Sequence, residues 1–384
     1  MLTMIHSNPA VLESGLLRID RKFHTGMLAF VDALACPITT VHPRAADVSR
    51  IMDPVILRLN ELPYAVRVRE RQGDSSVADL ISKSTLVCGG DQTDWRIAIA
   101  NGIPFIPVLE YDLGTQIVVA SPAGTAWLKK AVRSARVLGR YLSSQSLLSS
   151  ALEIHCNGYP IYRALRSVDS PRLLYLDSRM TQDMVIPASD LEARLAARSE
   201  LLQPLKLLYS GRYEPMKGAI DAVLTALKCA DLGANVELHC FGQGSQKAEM
   251  ERLGARLPLR IFINDAIPFP ELVAVSRRFD MFLCCHVQSD PSCTYLESMG
   301  AGLAVAGYKN RMWHGLQSAS GAGVIAPIGD YHRLASEIMA VAKDHQRLVE
   351  YSRKARAFAL KHTFELEFRR RTEAISAAMR RMGE

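Results

Sequence analysis

An apolar run, Leu205-Lys206-Leu207-Leu208-Tyr209-Ser210, passes through one short turn straight into a helical pattern running from Ala219 to Ala230. The turn, Gly211-Arg212-Tyr213-Glu214-Pro215-Met216-Lys217-Gly218, carries glycines at both ends and two cations five positions apart. A buried strand, a tight glycine turn and a helix start form a corner where free N–H groups and the helix dipole attract negative charge. Arg212 adds a planar fork suited to phosphate, and Lys217 adds a point charge. The corner therefore reads as an anion site within an α/β fold.

The rest of the chain fits that class. Its 384 residues are enough for two domains of ordinary size, and 48% hydrophobic with 22% charged residues is a globular balance. No stretch reaches the apolar length of a membrane span, and the first residues show no basic and apolar leader pattern. A cytoplasmic protein is expected. The eight cysteines are scattered, several within apolar runs (Cys36, Cys88, Cys240, Cys284, Cys285), and none forms a CxxC pair. Reduced, buried thiols are expected, not zinc or disulfides. A net charge of +7 suits an anionic substrate or an anionic membrane surface. Nucleic acid is not expected as a partner, because no basic patch interleaved with aromatics accompanies that charge.

Short apolar strands alternate with amphipathic helices in both halves, the pattern of parallel sheets. In the first half the pattern predicts strands at Leu2–His6, Ile38–Val41, Thr85–Cys88, Phe105–Val108 and Ile117–Ala120, with helices at Phe23–Ala35 and Asp94–Asn101. In the second it predicts Leu205–Tyr209, Val236–Phe241, Leu259–Ile263, Met281–Cys285 and Leu303–Gly307. A polar helical stretch bracketed by Pro187 and Pro204 separates the halves, which places domains at 1–200 and 201–365. The Arg-rich segment Glu365–Met382, with Arg369, Arg370 and Arg371 in a row, reads as a helix with a solvated charged face.

Two further motifs follow the cationic corner. The strand Val236–Phe241 runs into Gly242-Gln243-Gly244-Ser245, whose glycines let the backbone approach a ligand at a strand's carboxyl end. Lys247 stands where a dinucleotide fingerprint needs its third glycine, so that fingerprint fails. The strand ending at Cys285 empties into Ser289-Asp290-Pro291-Ser292-Cys293-Thr294, followed by Tyr295-Leu296-Glu297-Ser298-Met299-Gly300. Ser292, Cys293 and Thr294 offer N–H groups to an anion, and Glu297 can accept both hydroxyls of a sugar or ribose. Cations for a diphosphate beside a carboxylate for a diol point to a nucleotide sugar.

Over about residues 204–365 these motifs, in this order, resemble the donor domain of family 4 glycosyltransferases, which have the GT-B fold of two Rossmann-like domains facing across a cleft. The resemblance implies that Arg212 and Lys217 hold the donor diphosphate in place of a metal, that no cofactor is needed, and that Glu297 binds the ribose. It implies donor contacts for Gly211, Gly242, Gly244, Ser292, Cys293, Thr294 and Tyr295, and retention at the anomeric carbon. It also implies that the last helix, 366–384, packs back on the first domain. The family usually has a glutamate eight positions before the ribose one, where this chain has Ser289. Either the adjacent Asp290 takes that role or the sugar is read differently.

The first half resembles the acceptor domain only in its alternation, and the loop Ser7–Gly15 lacks the glycine pair often found there. In Cys88-Gly89-Gly90-Asp91, Asp91 stands where the family has a polar contact to the donor sugar; alternatively Asp91 or Asp94 caps the following helix. Glu110-Tyr111-Asp112 could touch an acceptor, whereas His155 and His286 read as polar neighbours of the core. From Trp127 to Leu142, Lys129, Arg133, Arg136 and Arg140 form one helical stripe beside Leu128, Val132, Ala135, Leu138 and Leu142, with no acids. Such a helix lies either on anionic lipid or on its own sheet.

The sequence thus predicts a hexosyltransferase that moves a sugar from a nucleoside diphosphate to a saccharide or lipid-linked saccharide. Family habit places it in cell-envelope or exopolysaccharide assembly at the inner face of the plasma membrane. A catalytically inactive nucleotide-sugar-binding protein, or a sugar-nucleotide epimerase of the same fold, are the alternatives.

Overall fold

A computed structural model describes residues 1–48, 51, 53–121, 125–198 and 203–383. Packing divides the chain into two compact units. One comprises Met1–Ser121, Ala126–Tyr175 and Glu365–Glu384; the other comprises Leu176–Phe364. The boundary expected at residues 200–201 lies outside the described residues. The helix Ala188–Ala197 belongs to the second unit, where Leu191 and Leu195 pack with Ile186 and Val349. Arg194 ties it there by donating to the carbonyls of Ala301 at 3.0 Å and Gly302 at 2.6 Å.

Among the described residues the second unit has one six-stranded parallel sheet, ordered Ile261–Asn264, Val236–Phe241, Leu205–Ser210, Met281–Cys284, Ala304–Tyr308 and Gly323–Ala326. Numbered along the chain, this is the order 3-2-1-4-5-6 of nucleotide-binding sheets. Its inner strands read as almost continuous apolar runs because helices cover both faces of such a sheet. The helix Ala219–Asp231 buries Ala222, Val223, Ala226 and Leu227, and the small residues let it lie close to the strands. The strand expected at Leu259–Ile263 starts later, at Ile261, and Leu259 is 85% exposed.

The first unit has a five-stranded parallel sheet, ordered Ala65–Arg69, Ile38–Pro43, Leu2–Ile5, Leu86–Gly89 and Phe105–Ile106. The single strand expected at Phe105–Val108 is interrupted at Pro107, which has no N–H to give the ladder. Val108–Leu109 instead starts a second parallel set with Ile154–Asn157 and Arg172–Tyr175. The strand expected at Ile117–Ala120 is part of a helix, Leu113–Ala120, started by Asp112, whose carboxylate accepts from the Thr115 N–H at 2.8 Å. A four-residue apolar run has no periodicity of its own, and the cap decides it. Part of the loop expected at Ser7–Gly15 is also a strand. Val11–Glu13 turns through Ser14 (φ 49°) and Gly15 (φ 77°) to pair with Leu16–Asp20, which pairs in turn with Pro54–Arg58. Two positive φ angles in a two-residue loop match the twist of a hairpin.

The last helix, Phe364–Gly383, contributes Phe368, Ile375 and Ala378 to a core shared with Leu2, Met4, Met27, Phe30 and Leu86. Its arginine run is not wholly a solvated face. Arg371 turns inward, its guanidinium 4.4 Å from the ring centre of Tyr175 and 4.9 Å from that of Phe30. Among the described residues no disulfide joins any of the eight cysteines, six of which are buried.

Candidate functional site

In the sheet of the second unit the strand order reverses between Leu205–Ser210 and Met281–Cys284, so the loops leaving their carboxyl ends separate and leave a crevice. Both cationic and acidic motifs sit on these loops. The first strand continues through Gly211, whose N–H reaches the Phe241 carbonyl at 3.1 Å. Tyr213 is buried, donates its N–H to Gln243 O at 2.8 Å, and donates its hydroxyl to Asn264 O at 2.6 Å. Glu214 accepts from both the N–H and the hydroxyl of Ser245, at 3.0 and 2.7 Å. The turns at Gly211 and at Gly242-Gly244 are thereby laced into one surface. A Cβ on Gly242 would fall 1.9 Å from the Gly211 carbonyl oxygen, so no other residue fits that position.

Lys217 ends a single 3-10 turn, Pro215–Lys217, and Gly218 follows in the left-handed conformation at φ 61° before the helix begins. A Cβ on Gly218 would lie 1.9 Å from the Cys285 carbonyl oxygen. This backbone contact presses the lysine turn against the end of the neighbouring strand. Lys217 is 6% exposed, and its ammonium donates to Asp290 Oδ2 at 2.5 Å. Arg212 is exposed, its guanidinium 3.9 Å from the Met216 sulfur and, among the described residues, without a carboxylate partner. One cation is thus held and neutralised, while the other stands open to an incoming anion.

His286 Nδ1 lies 3.8 Å from Asp290 Oδ1. Burial, reinforced by Lys217 and Arg212, pushes the His286 pKa down to about 3, so the ring is neutral. Burial alone would raise the Asp290 pKa. The Lys217 charge, with its hydrogen bond, outweighs that and holds it below its ordinary value. Ser289, at the position of the usual family glutamate, accepts from the Arg311 N–H at 3.0 Å and so ties its loop to the helix Arg311–Ser320.

Beyond that loop runs the helix Thr294–Gly300, with Cys293 at its N-cap. The Ser292 and Thr294 hydroxyls share a hydrogen bond at 2.9 Å, and Cys293 Sγ lies 3.8 Å from Asp177 Oδ2. The ring of Tyr295 is wholly buried, stacked 5.7 Å from Trp313, and its hydroxyl accepts from Asn310 at 3.1 Å. The Tyr295 side chain belongs to the core, which leaves its backbone for the donor contact expected of this residue. Glu297 is buried and paired through Oε1 with Arg179 at 2.8 Å, and Arg179 lies over Phe269 at 4.1 Å. Arg179 escaped the sequence reading because nothing near it marks it; only the fold brings it to Glu297. Three buried acceptor oxygens of this region, Gln288 Oε1, Asp290 Oδ1 and Glu297 Oε2, have no hydrogen-bond partner among the described residues.

Asp91 sits elsewhere, in the first unit. Its carboxylate accepts from the N–H groups of Thr93 at 2.8 Å and Asp94 at 3.3 Å, while Asp94 accepts the Asp91 N–H at 3.0 Å. This is a complete capping box, braced by Arg69 at 2.9 Å from Asp94. The capping alternative is realised through Oδ1, while Asp91 Oδ2 lies 3.7 Å from Arg69, buried and without a hydrogen-bond partner among the described residues. His155 is buried, and Asp112 caps its own helix. No group of three or more His, Cys, Asp or Glu side chains among the described residues is placed to hold a metal.

No family model matches this sequence, and no curated protein is detectably similar to it. Solved structures do resemble it. HepE of Anabaena in complex with UDP covers 98% of this chain and 99% of its own at 13% identity and a TM-score of 0.65. Sucrose-phosphate synthase of Thermosynechococcus elongatus covers 98% of each at 15% identity and 0.63. WaaG, a glycosyltransferase involved in lipopolysaccharide biosynthesis, covers 98% of this chain and 99% of its own at 12% and 0.59. At such identities the likeness is one of fold, and the fold is that of the GT-B glycosyltransferases, with two Rossmann-like units.

Lys217→Met should cost about 3–5 kcal/mol, because it leaves a buried carboxylate without its cation. Adding Asp290→Asn to that variant should recover most of the loss in urea denaturation, and a double variant no more stable than the single would contradict the pairing. Acid should also weaken the fold early. Burial holds His286 and His155 down to about 3 and His42 to about 4, so the unfolded chain binds more protons as pH falls from about 6.5. Their contribution is complete above that pH and is lost below it, by up to roughly 1.4 kcal/mol per pH unit for each ring. Equal urea midpoints at pH 7.5 and pH 5 would disprove it.

Proposed function

We propose that this chain is a hexosyltransferase that moves a sugar from a nucleoside-diphosphate sugar to a hydroxyl acceptor. The observation that carries this reading is the grouping of Arg212 and the buried Lys217 with three partnerless acceptor oxygens at the reversal point of the second sheet. A diphosphate answers the cations, and hydroxyls answer the oxygens. Glu297 Oε2, fixed by the grip of Arg179 on Oε1, accepts a ribose hydroxyl. Asp290 Oδ1 accepts a hydroxyl of the transferred sugar, with Lys217 setting the orientation of the carboxylate.

In the transfer step the bond from the anomeric carbon to the diphosphate oxygen breaks, and a bond to the acceptor oxygen forms. Negative charge grows on the departing diphosphate, and Arg212 with Lys217 stabilises it there without a metal. A leaving phosphate oxygen takes the acceptor proton, and the sugar keeps its anomeric configuration. Gly211, Gly242, Gly244, Ser292, Cys293, Thr294 and the Tyr295 backbone complete the donor surface. HepE is described with UDP and with UDP-glucose, which makes a UDP-sugar the first donor to try.

The helix Trp127–Ser149 supports a place at an anionic membrane surface, in cell-envelope or exopolysaccharide synthesis. Its apolar stripe is not packed on the protein: Trp127 is 75% exposed, Leu142 61%, Leu128 59% and Val132 59%. Lys129, Lys130, Arg133, Arg136 and Arg140 are exposed beside it, as are Val118 and Val119 of the preceding helix. Exposed apolar side chains flanked by cations match an interfacial helix. No helix among the described residues is long and apolar enough to cross a membrane. A second reading, a binding protein without catalysis, draws on Ser289, whose hydroxyl is engaged at the position of the family glutamate.

A UDP-sugar at a hundred times its dissociation constant should add roughly 2.7 kcal/mol of stability, read as a melting shift. Arg212→Ala should abolish that shift without disturbing the fold, since the side chain is exposed. No shift with UDP-, GDP- or ADP-sugars would overturn the donor site, and binding with no turnover on any acceptor would favour the second reading. The chain should co-sediment with vesicles containing phosphatidylglycerol but not with pure phosphatidylcholine. Replacing Arg133, Arg136 and Arg140 by Glu should abolish that binding; unchanged binding would remove the membrane assignment.

A further inference from the structure

Alternation along the strands of the first unit sorts their side chains between two layers. Ile5, Val41, Val87, Ile154 and Cys156 enter one core, whereas Leu2, Met4, Ile38, Leu86 and Cys88 enter the other. His6, His42 and His155 continue the second series toward the carboxyl ends of their strands. They lie in the layer that the helices Arg21–Ala33 and Phe364–Gly383 cover. His6 stacks on His42 at 5.5 Å and meets Phe23 at 4.6 Å.

Arg371 enters the same layer from the last helix, held over Tyr175, Phe30 and Phe368 at 4.4, 4.9 and 5.5 Å. Its charge acts on both His6 and His155. Among the described residues no carboxylate lies within ion-pair distance of Arg371. The nearest acid to His155 is Glu153, 3.8 Å from Nε2 and itself 3.4 Å from Arg381. Arg371 Nε, His6 Nε2 and both ring nitrogens of His155 are buried and have no hydrogen-bond partner among the described residues. His42 differs, with both nitrogens engaged by Asn8 O and Thr40.

A cation with no counter-ion and two imidazoles with unengaged N–H groups match a small anion. Arg supplies two parallel donors, and each neutral ring supplies one. A neutral hydroxyl would leave the guanidinium unbalanced. The cluster adjoins the carboxyl end of Leu2–Ile5, where the strand order of this sheet also reverses and where open α/β sheets take ligands. We infer that Arg371, His155 and His6 bind an anionic group, a carboxylate or a phosphate monoester, carried by the acceptor. The acceptor part of this inference rests on the glycosyl-transfer reading; the anion site does not.

The test is a titration of the intact protein with inorganic phosphate and with sodium acetate, against sodium chloride at equal ionic strength. The histidine ring NMR signals of His6 and His155 should move with phosphate, acetate or both, and stay in place with chloride. The stronger of the two responses identifies the class of group. Arg371→Gln should weaken the responding anion at least tenfold while leaving the UDP melting shift unchanged, and Arg371→Lys should recover only part of the affinity. Equal responses to all three salts, or full affinity in Arg371→Gln, would overturn the site. Silence toward phosphate and acetate in a protein that still binds UDP would overturn it while sparing the donor reading. An anion response in a protein that ignores every nucleotide sugar would do the reverse. Should Arg371→Gln fail to fold, the titration of the unaltered protein decides alone.

Discussion

The contact between Gly218 and the Cys285 carbonyl governs the geometry of the second unit's site. Parallel neighbours in a sheet whose order reverses send their following segments apart, and here the two loops are held together again at one point. The left-handed glycine brings the lysine turn so close that a Cβ would lie 1.9 Å from that carbonyl oxygen. Lys217 is fixed one residue earlier and Asp290 five residues later, so this backbone contact sets the stage for their ion pair. The Val287 N–H, bonded to Met216 O at 3.2 Å, secures the same seam.

An ion pair in such a place is not there chiefly to stabilise. Desolvating two charges offsets much of their attraction, and a well-packed apolar pair would serve the fold as well. What the pair provides is a carboxylate of fixed orientation, ionised, with one oxygen unengaged. Glu297 repeats the device with Arg179: one oxygen is anchored by a cation, the other is buried and unmatched. Buried polar atoms are normally hydrogen-bonded, and their concentration around two cations is the physical mark of a hydroxylated, anionic ligand.

The first unit treats polar groups in two different ways. Around Asp91, Asp94 and Arg69 every charge has a local partner, and the result is a well-capped helix. Around Arg371 the cation has rings in place of a carboxylate, and the nearby imidazoles lack partners. On the outer surface, the helix at Trp127–Ser149 leaves apolar side chains in water that its own sheet does not need, because its buried side consists of Val137, Ser144 and Leu148.

Local chemistry was legible in the sequence wherever a few neighbouring residues settle the outcome. The strand–turn–helix at Leu205–Asp231, the glycine turn at Gly242 and the helix at Ala188–Ala197 follow from apolar period, glycine placement and prolines. Ile117–Ala120 and Ser7–Gly15 differ from the sequence expectation for one reason, since short apolar runs take their form from a cap or a pairing strand. What only the tertiary structure decided is which distant groups meet. Arg179 reaches Glu297 across 118 positions, and Lys217 reaches Asp290 across 73. It also decided that Tyr295 is core, and that Arg371 leaves a solvated arginine run for an aromatic box. Period and capping act within a turn or two of chain, whereas strand order and helix docking join residues whose separation in sequence carries no trace of their contact.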